Sequence, residues 1–443
     1  MKVAILGGGE SGIGAALLAQ QKGMEVFVSD AASIADPSKQ LLIAHGIPFE
    51  EGGHTLAKLA MVHEVIKSPG IPNEADILLA LRKRALPILD EIEFAFRYAQ
   101  GVVIAVTGSN GKSTTAHLIH HLLKAAKRDA VLAGNVGYSF AKSLTERAYG
   151  YYVLELSSFQ LESIERFHPH IACLLTIAPD HLDRYGYSLD AYAQAKLNVL
   201  RNMTATDHFV YNNDDPLIQH YLSNCPILPQ AHPISLTSHA PTLSAHGEDP
   251  TSSLGSDTIH LSGRHNQLNA RVAIAATLLT GVSMQQIWDA LPTFRSLPHR
   301  LEWCGAPQGI PCYNDSKATN VVAAAVALKS FSQSIVWIAG GKDKGNDYTN
   351  LVPIVKEKVK AMVCLGKNNS TMATAFASLG IPIRETDTMA AAVKTALSFA
   401  AKGDVILLSP ACASFDLFRN FEDRGNQFRI QIEACLNPTF RSN

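Results

Sequence analysis

The chain has 443 residues, which at roughly 150 per domain implies about three domains. It is 47% hydrophobic and 17% charged, a globular composition, and 38 Lys+Arg against 39 Asp+Glu leave a net charge of -1. The densest basic run is Arg82-Lys83-Arg84, so binding of nucleic acid or an anionic membrane is not expected, and any anionic ligand needs a local site.

The seven cysteines (Cys173, Cys225, Cys304, Cys312, Cys364, Cys412 and Cys435) are odd in number and contain no CxxC pair. They read as buried thiols of a reducing compartment, without a disulfide framework or zinc spacing. The apolar start, residues 1–6, is too short for a signal peptide, and no apolar stretch approaches 18 residues. A soluble, cytoplasmic protein is expected.

In chain order, strand-length apolar runs alternate with helical patterns. Residues 2–6, 25–29 and 62–67 open a first unit. Residues 102–107, 151–156, 171–177 and 208–211 form a second, and 334–339, 361–365 and 405–408 a third. Such alternation predicts an α/β fold of parallel sheets with helices on both faces, in three domains spanning 1–90, 91–297 and 298–443. The Pro-, Ser-, Thr- and His-rich stretch 225–262 reads as loops and short strands inside the second domain.

In the first unit, Gly7-x-Gly9-x-x-Gly12 follows a strand and precedes a helix, with Asp30 at the end of the next strand. The spacing is that of a dinucleotide fingerprint, but some 90 residues fall short of two mononucleotide halves. A nucleotide diphosphate at the helix N-terminus fits as well as NAD. The turn Ser68-Pro69-Gly70-Ile71 follows another strand and reads either as a second loop over that ligand or as a plain turn.

The second unit carries the most specific signal. The strand 102–107 runs into Gly108-Ser109-Asn110-Gly111-Lys112-Ser113, and a helix starts near Thr114. Backbone N–H groups and the helix dipole there favour phosphate oxygens, with Lys112 on the β/γ-phosphates and the Ser113 hydroxyl toward Mg²⁺. Position 106, where a common P-loop has its first glycine, is Val106. We read an ATP site. Glu155 ends the next strand, where a carboxylate beside such a loop holds Mg²⁺. His181 and Asp183 follow a further strand. Lys196 lies on a helical pattern and by itself reads as a solvated helix lysine. In the third unit, Asn314–Asn320, Gly340–Gly345 and Ser409–Ser414 are polar loops at strand ends, suited to a small anionic second substrate.

Together the segments 107–115, 155–160, 180–183, 195–196, 263–269 and 297–300 resemble the Mur ligases of peptidoglycan synthesis, over nearly the whole chain and in order. The segments 314–320 and 409–427 (SPACASFDLFRNFEDRGNQ) resemble those of its D-glutamate-adding members. The resemblance implies an ATP-dependent amide ligase, working as a monomer, that takes UDP-N-acetylmuramoyl-L-alanine and D-glutamate through an acyl phosphate. It implies UDP binding at Gly9, Ser11, Ser68 and Asp30, and help from Asn135 in holding the muramoyl group. Gly108, Asn110, Gly111, Lys112, Ser113 and Thr114 would hold ATP phosphates. Two Mg²⁺ ions would be served by Ser113, Glu155, His181 and a carbamylated Lys196. Asn266 and Asn269 would lie on the adenine side, Asp315 on the ribose and Arg300 on phosphate. Lys317, Thr319, Lys344, Ser414 and Phe421 would grip D-glutamate. Rival readings are another amide ligase of the superfamily, an NAD-dependent oxidoreductase built on Gly7–Gly12, and a non-catalytic nucleotide-binding module.

Overall fold

The computed structural model describes residues 1–223, 228–236, 264–294, 298–343 and 345–436, with strands grouped in three sheets. The first contains β1 (Lys2–Leu6), β2 (Glu25–Ser29), β3 (Phe49–Glu50), β4 (Glu64–Lys67) and β5 (Ile88–Asp90), all parallel, in the order β3-β2-β1-β4-β5. The second contains β6 (Val102–Thr107), β7 (Ala130–Gly134), β8 (Tyr151–Glu155), β9 (Ile171–Leu174), β10 (His208–Asn212) and β11 (Gln230–Ile234). It too is parallel, ordered β11-β10-β9-β6-β8-β7. The third contains β12 (Glu302–Gly305), β13 (Cys312–Asn314), β14 (Ile335–Gly340), β15 (Val359–Leu365), β16 (Ile383–Thr386) and β17 (Val405–Ala411). Its order is β12-β13-β17-β14-β15-β16, with only the β12–β13 pair antiparallel.

Parallel sheets bury both faces, and the side chains show it. Along β1, Val3 and Ile5 enter one core while Ala4 and Leu6 enter another. Along β14, Ile335, Trp337 and Ala339 point one way and Val336 and Ile338 the other, all at most 1% exposed. The strand order reverses beside β1 and beside β6, and ligands of open α/β sheets collect at such points outside the carboxyl ends. The glycine turns Gly7–Gly12 and Gly108–Gly111 follow these two strands.

Three sheets form two compact units: residues 1–259 with 266–294, and residues 260–265 with 295–443. The first two sheets share one unit because buried groups join them. The Glu91 carboxylate accepts the Ala141 N–H (2.6 Å), and Glu93 accepts N–H groups of Glu165, Arg166 and Phe167 at 2.8–2.9 Å. A buried hydrophobic cluster runs from Val3 and Ile92 to Tyr152 and Phe209. A fully buried Lys67–Asp90 ion pair (2.8 Å) closes the end of β4 against β5.

Several expectations are corrected. The run 171–177 pairs as a strand only to Leu174, because its last residues wrap the phosphate loop: Thr176 O accepts the Ser109 N–H at 2.7 Å. The helix after the phosphate loop begins at Lys112, two residues before Thr114. Of the cysteines, Cys435 is exposed, and Cys173, Cys312, Cys364 and Cys412 are buried; Cys225 lies outside the described residues. The stretch 225–262 contributes β11, and its remainder from 237 on also lies outside them.

Candidate active site

The phosphate loop is built by backbone geometry. Gly111 caps the helix Lys112–Ala125 at φ +88°, a region that favours glycine, and a Cβ there would collide with the Asn269 carboxamide. The loop is fastened to the segment just past β9: Asn110 N–H donates to Thr176 Oγ1 (2.9 Å), while Ser109 Oγ donates to Ala178 O (3.0 Å) and meets the Tyr192 hydroxyl (2.9 Å). Ser113 and Thr114 lie buried in the first helical turn. Lys112 folds back so that its Nζ donates to Gly108 O (2.7 Å) and Ser109 O (3.0 Å), which parks the ammonium over the loop.

A second lysine reaches the same carbonyl. Lys196, on the helix Leu189–Leu197, is only 1% exposed, and its Nζ donates to Gly108 O at 3.0 Å. Burial, and then the Lys112 charge, push its pKa well below the ordinary ammonium range; Asp180 and Glu155 oppose this only in part. The solvated-lysine reading is therefore overturned, and burial shifts this amine toward its neutral form.

Glu155 ends β8 and is 3% exposed; Asn135 Nδ2 donates to its Oε1 (2.9 Å), and Asn135 N–H to its carbonyl (2.8 Å). The Asn135–Glu155 pair thus ties the turn after β7 to the carboxylate beside the phosphate loop. His181 stands half-exposed at φ +51° with Nε2 3.7 Å from Asp180 Oδ1 and its ring edge-on to Phe159 (5.1 Å). Asp180, rather than exposed Asp183, is the carboxylate felt by Lys196, a choice the sequence motif alone does not signal. Asn266 and Asn269 share a bond (3.3 Å) on the helix Arg264–Leu278.

Among the described residues no group of three His, Cys, Asp or Glu side chains is arranged to hold a metal by itself. The oxygen donors Ser113 and Glu155 still suit Mg²⁺, which keeps several waters and takes phosphate oxygens where protein ligands are few.

At the first sheet, a cleft of ≈ 800 Å³ is lined by Gly7, Gly9, Asp30, His54, Ser68 and Gly70 among others. Asp30 holds the backbone around it: its carboxylate accepts Gly8 N–H (2.6 Å) and Ala32 N–H (2.8 Å). A Cβ on Gly12 would run into Gly7 O, so this position requires glycine for close approach. Ser11 lies in the first turn of the helix Glu10–Gln21, after Gly9 as its cap. His54 joins this cleft without any sequence signal; its Nδ1 is 2.7 Å from Ser29 Oγ, a contact between separate elements with no local motif.

In the second compact unit, Asp315 is buried at the end of β13, accepting Ser409 Oγ–H (2.9 Å) and Leu301 N–H (3.2 Å). Burial pushes its carboxyl up to about 7, and these bonds and the Arg300 charge hold it back. Lys317 Nζ lies 3.8 Å from the centroid of the Phe421 ring. Thr319 is exposed beside Lys317, and Ser414 is buried after β17. Lys344 lies outside the described residues. Organising these loops is Arg424, 1% exposed, whose guanidinium donates to Ser316 Oγ and O (2.9 Å each) and Cys412 O (3.1 Å). Arg424 lies in the first turn of the helix Phe421–Leu436, inside the segment 409–427 that carries the resemblance, but the sequence reading gives it no role of its own.

Comparison with known proteins accounts for this arrangement. Residues 2–77 match the family profile described as MurD N-terminal domain, 106–277 that of the Mur ligase middle domain, and 299–412 that of the Mur ligase, glutamate ligase domain. A UDP-N-acetylmuramoylalanine–D-glutamate ligase of Bacteroides fragilis is 45% identical over 440 residues, covering 97% of this chain and 99% of the relative. One of Salinibacter ruber is 36% identical, with 98% of each chain covered. The chain belongs to the Mur ligase family. Its fold agrees with solved Mur ligases: the UDP-N-acetylmuramate-alanine ligase MurC of Thermotoga maritima superposes with a TM-score of 0.63 at 20% identity, covering 98% of this chain and 99% of that one. A MurF ligase from Thermotoga maritima in complex with ADP gives 0.59 at 15% identity, with 94% and 95% covered. As a Mur ligase, the chain has its phosphate loop, Glu155 and Lys196 inside the matched middle domain, and Asp315 through Thr319 inside the matched glutamate ligase domain.

Proposed function

We propose that this Mur ligase uses ATP to join D-glutamate to UDP-N-acetylmuramoyl-L-alanine, releasing ADP and phosphate in peptidoglycan precursor synthesis. The observation that carries this reading is full-length similarity, at 45% identity, to relatives of that name. An oxidoreductase built on the Gly7–Gly12 turn would leave Lys112, Lys196 and Glu155 without a task.

The residues divide the work by charge. The L-alanyl carboxylate attacks the γ-phosphorus, the bond to ADP breaks, and an acyl phosphate forms. Two anions must meet, so Lys112 leaves its carbonyls for the phosphate oxygens and Arg300 contributes a further cation. The free amine of D-glutamate then attacks the acyl carbon, and phosphate departs from the tetrahedral adduct while the amine gives up a proton, for which a His181 not engaged by a metal is the acceptor to test. Lys317, Thr319, Lys344, Ser414 and Phe421 serve the amino acid. Asn266, Asn269 and Asp315 serve the nucleoside; Gly108, Asn110, Gly111 and Thr114 serve the phosphates; and Asn135 serves the muramoyl group. UDP lies at Gly9, Ser11, Asp30 and Ser68.

Two Mg²⁺ ions, when bound, supply Lewis-acid neutralisation of the phosphates, held by Ser113 and Glu155 and by His181 and Lys196. As an ammonium Lys196 would repel a cation. As a neutral amine it adds CO₂, releasing a proton and becoming an anionic carbamate whose oxygens a hard ion accepts. The domains proposed for these tasks are 1–90, 91–297 and 298–443, in a cytoplasmic monomer. Among the described residues no helix is long and apolar enough to cross a membrane.

The test is phosphate release from Mg-ATP and UDP-N-acetylmuramoyl-L-alanine, with D-glutamate, L-glutamate, meso-diaminopimelate or L-lysine supplied separately. Release and product with D-glutamate alone are expected. Turnover with another amino acid would keep the ligase but overturn the D-glutamate assignment, and no turnover would overturn the reaction.

A further inference from the structure

Arg184 ends the run Asp180–Arg184 without a part in the chemistry. It sits on the short 3-10 turn Leu182–Tyr185, directly after His181. Its Nη1 donates to Pro69 O (3.0 Å) in the turn that supplies Ser68, Gly70, Ile71 and Pro72 to the nucleotide cleft. Its Nη2 donates to Glu162 Oε2 (3.1 Å), and its guanidinium lies 4.0 Å from the centroid of Phe159, the ring that abuts His181. Glu162 Oε2 also takes Asn73 Nδ2–H at 3.1 Å, so one carboxylate holds both sides of the junction. Arg184 and Glu162 side chains are 13% and 12% exposed, which removes most of the solvent screening that weakens surface pairs.

We propose that Arg184 is a positioning residue that fixes the floor of the nucleotide cleft against the His181 loop, so that the UDP-linked acceptor is presented at the phosphate loop in one register. The inference rests on the reaction proposed above. The fold has no need of this bond to join its first two sheets, since Glu91, Glu93 and a continuous hydrophobic core already do so. What Arg184 adds is a bond from the turn just after His181 to the backbone of the cleft-lining turn at Pro69, which the neighbouring Asn73–Glu162 and Ser163–Asn73 contacts do not make. Its planar fork can serve Pro69 and Glu162 at once, which an ammonium cannot reproduce. Misplacement of reacting groups by about 1 Å costs about 100-fold in rate, so loss of the tie reaches the chemistry although Arg184 touches no reacting atom.

The experiment compares full-length Arg184→Ala, Arg184→Lys and Glu162→Gln with the parent in steady-state kinetics, alongside melting temperature and calorimetric binding of UDP. The expected result for Arg184→Ala is a fall in kcat of about 10- to 100-fold and a rise in KM for the UDP-sugar, with KM for ATP and for D-glutamate within about twofold. Arg184→Lys lies between Ala and parent, Glu162→Gln shows the same split more weakly, and UDP binding persists. Unchanged kcat, or KM values that rise together for all three substrates, would overturn the proposal. If Arg184→Ala fails to fold, the Lys and Gln variants decide by the same split. A parent enzyme that makes no product with D-glutamate would defeat the underlying reading instead, and is seen before any variant is made.

Discussion

The two glycine turns of the first unit use one backbone device for different ends. Both follow the strand beside which sheet order reverses, both open a helix, and both pack a glycine where a side chain would collide. At Gly7–Gly12 the fixed charge is Asp30, whose two oxygens are occupied by the N–H groups of Gly8 and Ala32. At Gly108–Gly111 two lysine nitrogens converge on one carbonyl, and Glu155 is buried at the adjoining strand end. A turn whose charges are satisfied by its own backbone can hold a ligand without straining it. A turn that holds the Lys112 ammonium over its own carbonyls, beside a buried amine and a buried carboxylate, carries the means to offset a phosphate's charge as it moves. The first is built to bind and the second to react.

The comparison breaks most sharply at Lys112. Lys112→Ala should lower turnover by roughly 1,000-fold, as loss of a cation facing developing charge does, with UDP affinity unchanged by calorimetry. A loss below tenfold would mean that the second turn only binds. Lys196→Ala should cost about 100-fold, partly restored by added acetate or formate, which replace the missing carboxylate. Parent enzyme in CO₂-depleted buffer should show the same direction. Failure of both treatments would return Lys196 to a structural role, as a buried amine bonded to Gly108 O.

Between the turns lies Glu91, whose carboxyl burial pushes up to about 8 while the Ala141 N–H bond pulls it down. The unfolded chain releases this proton near 4.5, so between there and about 8 the folded state holds more protons. Stability therefore falls as pH rises through that window and levels off above it. Glu91→Gln keeps a carbonyl for Ala141 and removes the titration. It should raise stability at pH 8 by on the order of 4 kcal/mol and by less than about 1 kcal/mol at pH 5, read by thermal melts at both values. An equal shift at both would show that Glu91 is ionised in the fold.

The strands and turns that carry ligands are legible in the sequence because their signals are local: a buried β-rich run, then glycines, then a helix. The two-residue β3 is too short for a period to show, and β12 (EWCG) and β16 (IRET) lack a run of three apolar residues. The chemistry of Lys196 is not legible from its own helix, since Ala-Lys-Leu is the same whether the amine meets water or Gly108 O. Only the family resemblance points to it. Asp180, Arg184 and Arg424 escape a sequence reading for the same reason: what distinguishes each is a partner far along the chain, at Lys196, Pro69 and Ser316.

The smallest effect is expected at Asp30, and it tests the binding half of the comparison. Asp30→Asn keeps the side chain's shape and one accepting oxygen, but turns an amide N–H₂ toward either Gly8 or Ala32, whose N–H groups now meet a donor. The turn should loosen by about one charge-assisted bond, which corresponds to a rise in KM for the UDP-sugar of about 10-fold. Because Asp30 holds backbone and the reacting atoms lie at the other turn, kcat at saturating UDP-sugar should stay within about twofold of the parent. A fall in kcat comparable to that of Lys112→Ala would place Asp30 in the chemistry, and the division between a binding turn and a reacting turn would fail.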